Sequence, residues 1–171
     1  MILGMTSLTF VHVVISLVAI FSGLFVVFGL LRNDRLNHMT ALFLATTTAT
    51  SITGFFFPFH GVTPAGVVGI ISLIVLAVAI FGRYSRHLAG GWRRTYVISA
   101  VLALYLNVFV LVVQLFEKVP SLRALAPTQS ETPFKITQLV VMAIFIALGV
   151  FAVRGFHDQA SRTQAQTASA A

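Results

Sequence analysis

Five long apolar stretches restrict this chain more than any other feature of its sequence. Each is close to the roughly 20 residues that a helix needs to cross a bilayer. None carries an aspartate, lysine or arginine near its middle. We therefore predict an all-α, polytopic membrane helical bundle with about five transmembrane helices, at Leu8–Leu31, Met39–Phe57, Pro64–Gly82, Thr95–Phe116 and Phe134–Gly155.

Composition agrees with lipid as the main solvent of the chain. Only 9% of its 171 residues are charged, whereas soluble domains average about 25%. We predict one transmembrane domain over residues 1–157, followed by a disordered cytoplasmic tail at 158–171, which is rich in small and polar residues. The start of the chain lacks the basic segment and cleavage site of a secretory signal, so it is interpreted as a retained first span.

Basic residues concentrate in the connections on one side of the predicted bundle. Eight of the eleven lysines and arginines lie between spans one and two, between spans three and four, or after span five. Because cytoplasmic loops are enriched in lysine and arginine, we predict an outside N-terminus and an inside C-terminus. The loop between spans three and four also carries Tyr84 and Trp92 beside its arginines. This pattern is typical of an interface anchor, and an anionic-lipid or nucleotide site is the alternative.

Several functional classes find no support in the sequence. The net charge of +7 is spread over short inter-span segments, which membrane topology explains without nucleic acid. The chain has no cysteine, so disulfides and thiolate metal sites are excluded. The sequence contains no zinc-protease, P-loop, serine-hydrolase or dinucleotide-binding motif. We expect a multi-pass protein without catalytic or metal-binding residues.

The second predicted span carries an unusual density of hydroxyl groups. They occupy more than half of the helix circumference, so we expect this helix to be central, with neighbours on several sides. Serine and threonine tolerate this depth by bonding to a carbonyl one turn earlier, and they also hydrogen-bond across helices. Helix packing is one interpretation and the wall of a cavity is the other, for Thr46, Thr47, Thr50, Ser51 and Thr53.

Polar residues on other spans share faces of their helices. On span four, residues from Tyr96 to Glu117 follow steps of four and three and include Asn107 and Gln114. This face is predicted to point into the bundle. Span one carries a matching stripe of His12, Ser16, Ala19 and Gly23. We predict a candidate ligand-binding set, which consists of His12, His60, Asn107, Gln114, Glu117 and Gln138. Asn107 lies near the middle of the membrane, and the other five lie towards the outer side, where their convergence is a hypothesis.

The stretch "LNVFVLVVQ" on span four, followed by "LAPTQSE" in the next loop, resembles sequences of small, uncharacterised bacterial inner-membrane proteins. The resemblance covers about a fifth of the chain, within Ala103–Phe134. It implies a location in the bacterial inner (plasma) membrane and no particular activity. The loop that contains "LAPTQSE" is also a candidate outer lid, with a simple solvated loop as the alternative.

Three functions remain open. The first is a non-enzymatic ligand- or partner-binding accessory module in the lipid bilayer, which contacts another membrane protein or a second copy of the chain. The second is a redox protein that holds haem or quinone in the outer half, with His12 and His60 as the plausible axial pair, although no motif supports either cofactor. The third is a small permeant pathway along the threonine-rich helix.

Overall fold

The protein is helical throughout the part that the computed structural model describes, residues 6–57 and 64–156. This confirms the predicted all-α class. The predicted tail at 158–171 lies outside the described residues, as does His60. The helices are α1 (Ser7–Leu31), α2 (Asn37–Gly54), α3 (Pro64–Ile80), α4 (Trp92–Lys118), α5 (Pro120–Leu125) and α6 (Thr132–Gly155), with a π-helical turn at Phe81–Ser85 after α3.

The ends of the helices follow from local chemistry. Thr6 caps α1, since its hydroxyl accepts a hydrogen bond from the Thr9 N–H at 3.3 Å and so satisfies one of the donors that the first turn leaves unpaired. A proline lies in the first turn of both α5 and α6, where its missing N–H costs nothing. The short helix α5 occupies part of the connection between the fourth and fifth predicted spans.

Four helices are long and apolar enough to cross a membrane, namely α1, Gly66–Ser85, α4 and α6. Their most apolar windows have a mean hydropathy between 2.3 and 2.7. The chain is therefore a multi-pass membrane protein by the length and composition of its helices. The second predicted span is the exception, because α2 has 18 residues and its hydroxyls lower its hydropathy.

Helices α1 to α4 close a ring in which each contacts the next and α4 returns to α1. Helix α4 has the most neighbours of these four, since it also contacts α5 and α6. Helix α4 takes the central position that was predicted for α2, but α2 does have the predicted neighbours on several sides, since it contacts α1, α3 and, through Thr47 and Asn107, α4. It packs between α1 and α3 and leaves an outer face exposed, with Leu42 and Ile52 among its exposed side chains. The hydroxyl groups of α2 tolerate this exposure because several of them donate to carbonyls of α2 itself, as described below.

Helix α6 packs outside this ring, against α1 and α4. Only 17% of its most apolar window is buried within the bundle, compared with 44% for α1 and α4. Its end comes close to α1 at Gly155, where an added Cβ would lie 2.8 Å from the carbonyl oxygen of Leu31. Glycine is therefore required for this approach of the two helices.

The core is tightest where α1, α2 and α4 meet. Phe43 and Leu104 are fully buried there, and a Cβ added at Gly23 would lie 2.7 Å from Leu104 Cδ1 and 2.8 Å from Phe43 Cε2. The small-residue stripe predicted on α1 is confirmed, since Ala19 and Gly23 are both buried. Helices in lipid associate largely through such close packing.

The two ends of the bundle differ in chemistry. We call residues 32–36 and 81–94 the arginine-rich end, and residues 119–131 the proline-rich end. The turn between α1 and α2 is tight, and it holds Leu36 at φ 35°, a conformation that is strained for a branched side chain. Leu36 is held there by packing onto Gly29, where an added Cβ would meet its Cδ1 at 2.6 Å.

Candidate functional site

Among the described residues of the predicted ligand-binding set, none forms a hydrogen bond to another member. His12, Asn107 and Gln138 each form a separate hydrogen bond to a neighbouring helix, whereas Gln114 and Glu117 are exposed. The polar groups of the spans thus hold helices together at several separate points.

The interface between α1 and α2 contains the first of these points. His12 Nδ1 lies 2.8 Å from Thr53 Oγ1, and the imidazole packs edge-on against Phe57 at 5.1 Å between ring centroids. One turn further along α1, the Ser16 hydroxyl donates to the His12 carbonyl at 2.7 Å and lies 3.5 Å from Thr50 Oγ1. The stripe on α1 therefore faces the threonines of α2.

A second point joins α4 to α2. Asn107 Nδ2 donates to Thr47 Oγ1 at 3.2 Å, and Thr47 has no exposed surface. Hydrogen bonds between membrane helices contribute about 0.6 kcal/mol each on average. Together with the contacts of His12 and Ser16, this bond favours the packing interpretation of the threonine-rich helix.

Several hydroxyls of α2 also form hydrogen bonds within their own helix. Thr46, Thr48 and Thr53 donate to the carbonyls of Leu42, Leu44 and Ala49, each at 2.7 Å. The predicted bonding to a carbonyl one turn earlier is thereby confirmed at these three positions. Ser51 is 8% exposed and faces the interior of the bundle.

Gln138 joins α6 to α4 through its Nε2, which donates to the Phe109 carbonyl at 3.2 Å. Its Oε1 is buried without a hydrogen-bond partner. The Gln138 amide thus anchors the start of α6 through its Nε2 alone.

The predicted inward face of α4 holds for only part of the helix. Tyr96, Ala100 and Ala103 are buried, but Gln114 and Glu117 are exposed. At the proline-rich end, the buried face of α4 instead carries Val112 and Phe116, which form a small core together with Leu122, Ala126, Phe134 and Val141. Burying the Phe116 ring is more favourable than burying an amide, so the contact surface rotates around the helix.

This rotation opens a cleft of about 340 Å³ between the end of α4 and the proline-rich end. We call it the proline-end cleft. Charged and polar side chains surround one aromatic ring in its lining, which consists of Phe116, Glu117, Lys118, Arg123, Pro127, Thr128 and Gln129. Of the charged residues in this lining, only Glu117 was predicted from the sequence. Lys118 and Arg123 resemble ordinary loop residues until the position of α5 is known.

Hydrogen bonds order one wall of the cleft. Glu131 Oε1 accepts from the N–H and the hydroxyl of Thr128 at 3.1 and 2.9 Å, and its Oε2 accepts from the Ser130 N–H at 3.0 Å. Gln129, which has φ 58°, donates from Nε2 to the Val113 carbonyl at 3.2 Å. The predicted outer lid is therefore a folded turn tied back to α4.

The carboxylate of Glu131 depends on these bonds. Desolvation raises the pKa of its carboxyl group, but the donors on Thr128 and Ser130 together outweigh it and lower the pKa below its usual value. Because the folded-state pKa is depressed, the turn gains this stabilisation above the ordinary pKa of a glutamate and loses it as pH falls through the lowered value.

The redox interpretation depends on His12 and His60. Thr53 occupies Nδ1 of His12, which leaves Nε2 as its free ring nitrogen, and His60 lies outside the described residues. Within residues 6–57 and 64–156, no group of three or more histidine, cysteine, aspartate or glutamate side chains could hold a metal ion. Nothing in the described geometry favours a haem or quinone site over a structural role for His12.

Comparison with known proteins adds no family to this geometry. No protein-family model, curated protein or solved structure matches the chain.

Proposed function

We propose that the protein is a non-enzymatic binding or accessory protein of the bacterial inner membrane, which contacts a partner membrane protein or a second copy of itself through the proline-end cleft. The chain crosses the membrane five times, with its N-terminus outside and its C-terminus inside. In this topology α2 is the second crossing along the chain and adds to the four longer apolar spans. The proline-end cleft opens on the outer face.

The observation that carries the proposal is the cleft itself. It places Glu117, Lys118 and Arg123 around the Phe116 ring. The Phe116 ring itself is only 5% exposed, so the charged side chains form most of the accessible surface, which suits a partner with complementary charges. The side chains of Lys118 and Glu117 form an exposed ion pair at 2.9 Å, which a partner can exchange at little cost because such pairs contribute little to stability.

Two further features support the topology. Helix α2 contacts both α1 and α3, and its threonine hydroxyls donate to α2 carbonyls one turn earlier, so it can cross lipid despite its lower hydropathy. The eight basic residues on one side and three on the other favour an inside C-terminus.

The orientation is testable because the chain contains no cysteine of its own. We expect a single cysteine at Thr128 to react with a membrane-impermeant maleimide in intact spheroplasts, and one at Ser85 to react only after the membrane is opened. Both residues are exposed in the structure, so burial does not explain a difference. Labelling of Ser85→Cys but not Thr128→Cys in intact spheroplasts would show the opposite topology.

The binding function is tested by extraction in mild detergent, followed by light scattering and native mass spectrometry. We expect the wild type to run as a complex with a defined partner or as an oligomer. Arg123→Glu should reduce that fraction at least tenfold, because it reverses a charge on the cleft rim. Lys135→Glu is the matched control, since Lys135 is exposed near the same end but does not line the cleft.

Two results would contradict the proposal. One is a wild type that is always monomeric and carries no bound species. The other is an equal loss of association in Arg123→Glu and Lys135→Glu, which would indicate a general effect of charge.

A further inference from the structure

Arg83 is a buried cation at the arginine-rich end. It belongs to the π-helical turn after α3 and is 7% exposed. Its Nη2 donates to the Arg35 carbonyl at 3.0 Å and to Asn37 Oδ1 at 2.7 Å. Its guanidinium carbon also lies 5.2 Å from the centre of the Tyr96 ring.

All of these partners are neutral groups. Among the described residues, no carboxylate lies within ion-pair distance of Arg83, and its Nη1 is buried without a hydrogen-bond partner. The acidic residue nearest in sequence to Arg35, Asp34, is used by its own turn, since Oδ1 accepts from the Leu36 N–H at 3.3 Å. Arg83 therefore has no counter-charge within residues 6–57 and 64–156, and a buried charge is costly unless it is paired.

A small cleft adjoins this cation. Its volume is about 140 Å³, and its lining is Arg35, Asn37, Arg83, Tyr84, His87 and Leu88. A water molecule occupies about 30 Å³ in the liquid. The cleft therefore has room for a group of roughly five non-hydrogen atoms, which is the size of a phosphate.

The lining offers donors for such a group. Because Asn37 Oδ1 already accepts from Arg83, the amide is oriented with its NH₂ available to an acceptor. Arg35 and Arg83 supply two positive charges, and His87 and Tyr84 supply further polar atoms. No acidic side chain lines the cleft.

We propose that this cleft, here called the Arg83 cleft, binds one phosphate group, carried by an anionic lipid headgroup or by a soluble phosphate. The bound anion supplies the counter-charge that Arg83 lacks and contacts Arg35 and Asn37 at the rim. The site lies at the end of the bundle opposite to the proline-end cleft and does not depend on the function proposed for that cleft.

The experiment measures the melting temperature of the purified full chain in a non-ionic detergent. The additions are phosphatidylglycerol, phosphatidylcholine or inorganic phosphate, and native mass spectrometry counts the retained lipid. Arg35→Gln is the principal variant, because its side chain lines the cleft whereas the hydrogen bonds to residue 35 use its carbonyl. Arg94→Gln is the matched control, since Arg94 is exposed at the same end but does not line the cleft.

We expect an anionic addition to raise the melting temperature of the wild type and of Arg94→Gln by several degrees, and phosphatidylcholine to leave it unchanged. In Arg35→Gln the rise should fall to less than half. A rise with phosphatidylglycerol alone identifies a lipid headgroup as the source, and a similar rise with inorganic phosphate identifies a soluble phosphate. If the Arg83→Gln variant folds, it should show no rise in melting temperature with either anion. If it does not fold, the comparison of Arg35→Gln with Arg94→Gln tests the proposal.

The proposal is overturned if neither anion raises the melting temperature of the wild type. It is also overturned if Arg35→Gln and Arg94→Gln respond alike, because the effect would then come from the general positive charge of that end.

Discussion

Replacing Gly23 by leucine is expected to destabilise the protein by about 3 kcal/mol or more, at the upper end of the cost of overpacking a core. The first added atom already lies 2.7 Å from Leu104 Cδ1 and 2.8 Å from Phe43 Cε2. Both neighbours are fully buried, so neither can move aside into lipid. Unfolding in mixed micelles with increasing SDS measures the loss, and Gly23→Ala should show a smaller one.

Gly149→Ala is the control for this substitution. Its added Cβ would lie 3.7 Å from Val101 Cγ1, which is an ordinary van der Waals contact, so we expect a change within about 0.5 kcal/mol. If Gly23→Leu unfolded at the same SDS content as the wild type, α1, α2 and α4 would not meet as closely as described.

Phe43→Ala is expected to destabilise the same junction from the opposite side, by about 3 kcal/mol. Phe→Ala changes in soluble cores cost about 3–5 kcal/mol. The lower end applies here because a phenyl ring gains little on transfer from lipid to protein, so the loss is mainly one of packing. Phe43 is fully buried, whereas Phe21 is 62% exposed on the outside of α1, and Phe21→Ala should therefore unfold close to the wild type in the same SDS titration.

The effects of Gly23→Ala and Phe43→Ala on stability should also be coupled. In the Phe43→Ala background, an alanine at position 23 gains the space that the ring occupied, so the double variant should lose less stability than the sum of the single variants. Neighbouring residues typically show such coupling at 0.5–3 kcal/mol. Strict additivity would mean that Gly23 and Phe43 are not in contact.

The positions of most helices could be predicted from the sequence because long apolar stretches leave few alternatives. The packing stripe on α1 was readable for the same reason, since small residues at helical spacing allow close approach. Intrahelical bonding of the threonines was also predictable, because it depends only on residues one turn apart.

Features that depend on tertiary contacts could not be predicted. The exposure of Gln114 follows from the turn of the contact surface towards Phe116, which requires the position of α5. The partners of His12, Asn107 and Gln138 were also not predictable, because each forms its hydrogen bond across a different pair of helices. The burial of Arg83 was likewise hidden, because its sequence context resembles that of the exposed arginines beside it.

The peripheral position of α6 bears on how the protein is assembled during synthesis. Helices α1 to α4 precede it in the chain and already form a closed ring of contacts. The surface of α1 and α4 that receives Gln138 and Gly155 is therefore built from residues that are synthesised before α6. The contacts that hold α6 are thus made to helices that enter the bilayer ahead of it, so docking of α6 is expected to be the final step of assembly of these spans.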